Sequence, residues 1–449
     1  MEGALRVLLA AGVYLTVEEF KGRRPVQRGG LTFAADPVQL RNPLAGCDLP
    51  VHSGGRTGAA TPAGWDLAYV WDRAVDLCLA QAARGPARRR FGVWGVPGSG
   101  AIAHLLDVAA RGAVPERWFS QVDPRSPAVR ARYRGSVRVL RLAARLAGVR
   151  LPLPTHAPLD DPQPVLCWLA EVLGDGATPE ILGYPSAMLR LAETALRAGV
   201  RLDGFEVITG GEPITSGRVA VMRRAGMRVF PRYAVIEAGL VAEGCLRPDG
   251  PDDVHVVSDL VALIQPDAAV PPQALPPGAL LVSTLRPSAP FMLLNVSLGD
   301  AAILDRRPCD CALAALGWAA RLRTIRSFEK LTAEGMTFLD ADVAQVLEEA
   351  LPARFGGRPG DYQLVEEERP DGRACLRLLV HPEVGRIDPQ AVVDAFLSAL
   401  GPAGGAAGIM AEVWRDADLL TVERRIPETT VSGKVLHLHR ARFGVGRSA

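Results

Sequence analysis

The alternation between Ile181 and Tyr233 constrains the fold more than any other feature. Ile181-Leu182-Gly183-Tyr184 is a short apolar run, followed by a helical pattern from Pro185 to Ala198. Gly204 to Thr209 is a second run, Ser216 to Ala225 a second helical pattern, and Met227 to Tyr233 a third run. Strand, helix, strand, helix, strand at this spacing implies a parallel sheet covered by helices. In such sheets ligands bind beyond the carboxyl ends of the strands. The loops after Thr209 and Tyr233 are therefore where chemistry is expected.

The flanks extend the pattern. Upstream, Asp66 to Arg84 and Ala101 to Arg111 read as helices around a strand at Arg90 to Trp94, and Ser136 to Ala147 and Pro164 to Leu173 as further helices. Downstream, the short β-type runs Val254–Val257, Ala279–Thr284 and Phe291–Val296 lie between Pro-rich turns, which predicts a smaller antiparallel sheet or barrel. After Trp318 the rhythm resets, with a hinge expected in Arg321 to Lys330. A helix follows at Asp340 to Leu351, then strands at Tyr362 to Glu366 and Cys375 to Val380, and a helix at Pro389 to Leu400. The expected class is α/β. A large domain over 1–325 combines a parallel sheet with a β-rich subdomain, and a small α+β domain fills 326–449.

Composition narrows the partners. With 48% hydrophobic and 22% charged residues, the 449-residue chain has a globular balance, and a net charge of +2 argues against nucleic acid or an anionic membrane. Met1 to Leu15 lacks the basic flank and cleavage site of a signal peptide, and no apolar stretch suits a spanning helix. Seven scattered cysteines suggest reduced thiols, so a cytoplasmic location is expected. Only Lys21, Lys330 and Lys434 are lysines among 51 basic residues. A retained lysine inside a motif is a candidate for work a planar guanidinium cannot do.

Five segments carry chemistry, each with a plain structural alternative. Ser53-Gly54-Gly55-Arg56-Thr57-Gly58 can wrap phosphate oxygens with backbone and hydroxyl donors, or be a simple turn. Gly210-Gly211-Glu212-Pro213 follows a strand. Its glycines let the backbone lie against a planar ring, and Glu212 caps the next helix in either reading. Tyr233 can stack on a base or fill the core, while Glu237 can hold Mg²⁺ or face solvent. Asp300, expected at a strand end, can accept ribose hydroxyls or bond its own turn. Lys434, in Thr430-Val431-Ser432-Gly433-Lys434, can offset charge building on a phosphate or be a surface lysine.

In order and spacing these motifs resemble the adenylate-forming superfamily of acyl-CoA synthetases, and within it the phenylacetate-CoA ligase-like branch. The resemblance runs from about Ser53 to the C-terminus. It implies a hinge near Arg326 to Lys330 and a mobile C-terminal domain. It further implies that residues 53–58 hold ATP phosphates, Gly210 to Pro213 lie against adenine, and Tyr233 stacks on it. Glu237 would bind Mg²⁺, Asp300 and Arg326 the nucleotide, and Lys434 would serve adenylation. The departures are Arg56 and Ile236, both where threonine is usual, and Phe328 at a place usually acidic. The expected substrate is a small aromatic carboxylic acid passed to coenzyme A. The alternatives are nitrite passed to an amine in specialised metabolism, amide synthesis, and a non-catalytic nucleotide binder; a homodimer is also open.

A last set stands apart. Cys245, His255, Cys309 and Cys311 offer three thiolates and an imidazole, the donor set of a closed tetrahedral Zn²⁺ site, or else three free thiols and a surface histidine.

Overall fold

The computed structural model describes all residues except 47, 53–61, 96–98, 124–143, 146–147, 212–213, 215, 267–274, 277, 328–329, 334–335, 340–345, 358–359, 369–373, 401–413, 415–418, 428–437 and 441–449. After the helices Glu2–Ala10 and Val17–Phe20 come two hairpins, β1 (Val26–Arg28) with β2 (Leu31–Phe33) and β3 (Leu49–His52) with β4 (Pro62–Trp65). The predicted alternation then appears as β5 (Arg89–Gly95), β6 (Pro115–Ser120), β7 (Pro154–His156), β8 (Thr178–Gly183), β9 (Glu206–Thr209) and β10 (Arg228–Val235). Each pairs with its neighbours in parallel, in the order β10-β9-β8-β5-β6-β7. The direction of winding reverses between β5 and β8. Such a reversal opens a crevice at the strands' carboxyl ends.

Both faces of this half are covered, so its central strands β5, β8 and β9 are largely buried, and the carboxylates they carry, Glu180 and Glu206, are paired with Arg84 and Arg89. Trp94, Ile181 and Val207 pack under the helices Gln163–Gly174, Pro185–Arg197 and Ser216–Arg224. Val93 and Trp118 pack on the opposite side under Ser99–Ala110. Trp94, Trp118 and Phe119 are all core residues.

β10 has a second partner. The chain turns at 236–238 and returns antiparallel as β11 (Gly239–Gly244), followed by β12 (Val254–Val256), β13 (Val261–Ile264), β14 (Ala279–Thr284), β15 (Val296–Asp305) and β16 (Arg321–Ser327). These continue the same sheet in the order β13-β14-β15-β16-β12-β11-β10, giving twelve strands in all. The antiparallel region is thus not a separate sheet, because the free edge of β10 pairs with β11. The strand expected at Phe291–Val296 is also displaced. Asn295 adopts φ +52° and its amide bonds the carbonyls of Leu5 and Val13, which breaks extension there; the strand begins at Val296. Asp300 consequently lies inside β15 rather than at its end.

Beyond β16, β17 (Lys330–Ala333) and β18 (Met336–Leu339) form a hairpin. A four-stranded sheet follows, built from β19 (Tyr362–Glu368), β20 (Ala374–Val380), β21 (Leu420–Arg424) and β22 (Leu438–Arg440) in the order β21-β20-β19-β22. The helix Pro389–Leu400 makes the crossover between the parallel pair β20 and β21. The helix predicted at Ser136–Ala147 lies largely outside the described residues. Among the described residues no helix is long and apolar enough to cross a membrane.

Candidate active site

Four strand ends define the crevice. Gly95 closes β5, and Tyr184 follows β8 as the N-cap residue of the helix Pro185–Arg197. The Tyr184 ring reaches over both neighbouring glycine positions. A Cβ on Gly95 would lie 3.5 Å from it, and one on Gly211 only 3.1 Å. Gly210 and Gly211 leave β9 with no room for side chains. A Cβ at Gly210 would fall 2.1 Å from the Arg232 carbonyl, and Gly211 takes φ +81°. The pair is therefore dictated by close backbone approach and a left-handed turn.

Tyr233 ends the regular part of β10, where a bulge separates it from Ala234. Its hydroxyl donates to Asp300 Oδ2 at 2.8 Å, joining residues 67 apart in sequence. Burial, then the charge of Asp300 and its hydrogen bond, then the charge of Glu237 hold the Tyr233 phenol well above its ordinary value. The phenol is a permanent donor, and three of the predicted residues share one electrostatic neighbourhood. Glu237 is buried in the turn between β10 and β11. Tyr69, from the helix Leu67–Ala83, fixes that turn by donating its hydroxyl to the Ala238 carbonyl at 2.5 Å. A Cβ on the next residue, Gly239, would strike the Tyr69 hydroxyl at 2.2 Å.

Arg326 lies on β16. It pairs in register with Ala301, beside Asp300, yet its guanidinium donates to Asp252 Oδ2 at 3.1 Å and to the Ile325 carbonyl. Asp252 also accepts the backbone amides of Thr324 and Ile325, at 3.1 and 2.8 Å. Thr324 has φ +56°, a strained conformation for a β-branched residue, and sits in a bulge of β16 against β15. Sequence reading missed Asp252 and Tyr69. An Asp-Asp pair in a turn and a Tyr in a helix give no hint of partners so distant in the chain. Residues 53–58, Glu212, Pro213 and Lys434 lie outside the described residues.

The second predicted set does converge. Cys245 follows β11, His255 is on β12, and Cys309 and Cys311 precede the helix Ala312–Ala315; their ligand atoms all lie within 4.8 Å of one another. The Cys245 Sγ is 3.6 Å from that of Cys309 and 3.9 Å from that of Cys311, and Cys311 Sγ is 3.2 Å from His255 Nε2. Zn–S bonds of roughly 2.3 Å in a tetrahedron put sulfurs about 3.8 Å apart, so the cage matches the ion. His255 Nδ1 lies 2.6 Å from the Trp318 carbonyl. That oxygen can only accept, so the proton belongs on Nδ1 and the Nε2 lone pair faces the thiols. Metal-bound histidines commonly donate their other ring N–H to a backbone carbonyl in this way. Burial lowers the basicity of this imidazole and favours the neutral form a ligand needs.

No protein-family model and no curated protein matches the chain. Solved structures do. One is 2-hydroxyisobutyryl-CoA ligase in complex with 2-HIB-AMP and CoA in the thioesterification state, with TM-score 0.54 and 15% identity over 89% of this chain and 75% of that one. Another is the amide bond synthetase McbA from Marinactinospora thermotolerans, with TM-score 0.48 and 16% identity over 86% of this chain and 67% of that one.

Proposed function

We propose that this chain, which has the fold of the adenylate-forming ligases, uses ATP to adenylate a small acid in the crevice at the carboxyl ends of β5, β8, β9 and β10. The observation that carries the reading is the Tyr233–Asp300 hydrogen bond, formed beside Glu237. Three residues whose order resembles that of nucleotide-binding motifs come from different elements, Tyr233 from β10, Glu237 from the turn after it and Asp300 from β15.

In this reading the adenine lies along Gly210 and Gly211, and the Asp300 carboxylate, oriented by the Tyr233 hydroxyl, accepts from the ribose. Glu237 is the carboxylate that would hold Mg²⁺, whose charge, when bound, offsets that of the phosphates. An oxygen of the acid attacks the α-phosphorus, and the bond to the bridging oxygen breaks, so that pyrophosphate leaves with the electron pair. Lys434, brought from the C-terminal segment 326–449, places an ammonium where negative charge gathers. A nucleophile then attacks the activated acid and AMP departs. Coenzyme A is the first candidate for that nucleophile and an amine the second. The four-residue Cys/His set would hold a structural Zn²⁺, which when bound would tie together β11, β12 and the loop after β15.

Pyrophosphate release from ATP and Mg²⁺, with a panel of aryl acids and with nitrite, tests the reading. Acid-dependent release is expected. Binding of ATP with no release for any acid would favour a non-catalytic nucleotide binder.

A further inference from the structure

Glu237 stands in a three-residue hairpin loop. Val235 pairs with Gly239 and Ala234 with Leu240, so the chain reverses through 236–238 alone. Gly239 takes φ +70°, the left-handed residue with which such loops commonly close. Glu237 is 5% exposed, and among the described residues no arginine or lysine pairs with its carboxylate. A buried carboxylate is costly without a cation, which suits the metal-binding role and makes the setting of this loop matter.

The loop is held from outside. The Tyr69 hydroxyl, from the helix Leu67–Ala83, donates to the Ala238 carbonyl and accepts from the Leu240 amide, one group on each side of Gly239. It fills the space where any side chain at position 239 would begin. Burial raises the phenol to about 12, so the hydroxyl keeps its proton and its role as donor.

The ring is fixed in turn. The Arg73 guanidinium lies 5.4 Å from its centroid and 4.6 Å from that of Trp65, the last residue of β4. Arg73 is anchored by Asp107, to which Nε and Nη2 donate at 2.8 and 2.5 Å. Positions 65, 69 and 73 are each four apart, the spacing that brings side chains together along a helix. All three are buried, and they form one stack from the β3–β4 hairpin to the loop that carries Glu237.

We propose that Tyr69 is a positioning residue for the metal-binding carboxylate, holding the loop that presents Glu237 to Mg²⁺; this rests on the nucleotide reading of the crevice. Loss of the hydroxyl leaves the ring in its stack but strands a buried carbonyl and a buried amide. The loop can satisfy those groups only by shifting. The cost falls on the metal-dependent part of nucleotide binding, to which Glu237 contributes, and spares the contacts of Tyr233 and Asp300.

Titration calorimetry of the full chain tests this with three measurements: AMP in chelator, ATP in chelator, and ATP with excess Mg²⁺. The readout is the gain in ATP affinity that Mg²⁺ brings, taken at a temperature where melts show each variant folded. Tyr69→Phe is expected to lose about fivefold to tenfold of that gain, while its affinity for AMP in chelator changes by less than about twofold. Glu237→Gln should lose the gain entirely. Gly239→Ala keeps the phenol but drives a methyl group into its hydroxyl, and should lose as much as Tyr69→Phe. A Tyr69→Phe chain that keeps the full gain overturns the proposal. So does one in which AMP and Mg²⁺-loaded ATP weaken by the same factor, the mark of general loosening. A parent chain that binds AMP but gains nothing from Mg²⁺ overturns the role of Tyr69 and leaves the nucleotide site standing. A parent that binds neither nucleotide overturns both.

Discussion

Tyr233 and Asp300 show how two unremarkable residues become informative through one contact. Either alone fits a core ring or a turn acid; the 2.8 Å hydrogen bond between them makes the carboxylate an oriented acceptor. Tyr233→Phe removes that donor and leaves the ring, so it is expected to weaken AMP binding by about tenfold, in line with a charge-assisted bond. Asp76 gives a prediction of a different kind. Burial first, then the carboxylate of Asp259, push it up to about 7, with Asp72 adding to the shift and Arg286 opposing it. A carboxyl raised above its ordinary 3.8 binds protons more tightly folded than unfolded. Its contribution to stability is complete below that value and is lost as pH rises through about 7, up to about 4 kcal/mol. In thermal melts Asp76→Asn should therefore be more stable than the parent near neutral and alkaline pH, and the gap should close as pH falls towards about 4. A gap that does not change with pH would contradict the assignment. At this scale the sequence was legible where the chemistry is local. The four zinc-type donors and the glycine pair were recognisable by type, whereas Tyr69 and Asp252 act on backbone far along the chain and carry no local signature.

The element that organises the site is β10. Its amino-terminal part pairs in parallel with β9, and its carboxyl-terminal part bulges and turns back into β11. Tyr233 and Glu237 lie at that change of partner, and the Tyr233 hydroxyl reaches Asp300 on β15. The parallel half was readable because its strands and helices are long runs of one period. The antiparallel half was misjudged as a separate sheet, since nothing in β10 itself announces a second partner, and Asn295 ended an apolar run that looked extended. The bulge of β16 is another such irregularity. Three groups of the 324–326 segment lean on Asp252: two backbone amides and the Arg326 side chain. Asp252→Ala should release the strained Thr324 and cost about 2 kcal/mol, seen as a lower midpoint in denaturant with little change in slope. An unchanged midpoint would show that Thr324 is held by something else.

At the scale of the whole molecule, Cys245, His255, Cys309 and Cys311 gather their ligand atoms within 4.8 Å of one another. Those four side chains come from strands and a loop that the apolar core alone must otherwise hold in register. Mass spectrometry of the native protein should find one Zn²⁺ per chain, and its removal by a chelator should lower the melting temperature, because binding energy at a structural site is folding energy. Native protein free of metal, with the same stability in chelator, would rule the ion out. The central claim is narrower: the residues around Tyr233 form one nucleotide site. Titration calorimetry with AMP tests it most directly, comparing the parent chain with Asp300→Ala. The account predicts binding by the parent and a loss of tenfold to a hundredfold or more in the variant, as expected when a charged acceptor for hydroxyls is removed. A parent chain that does not bind AMP, or a variant that binds it equally well, would contradict it.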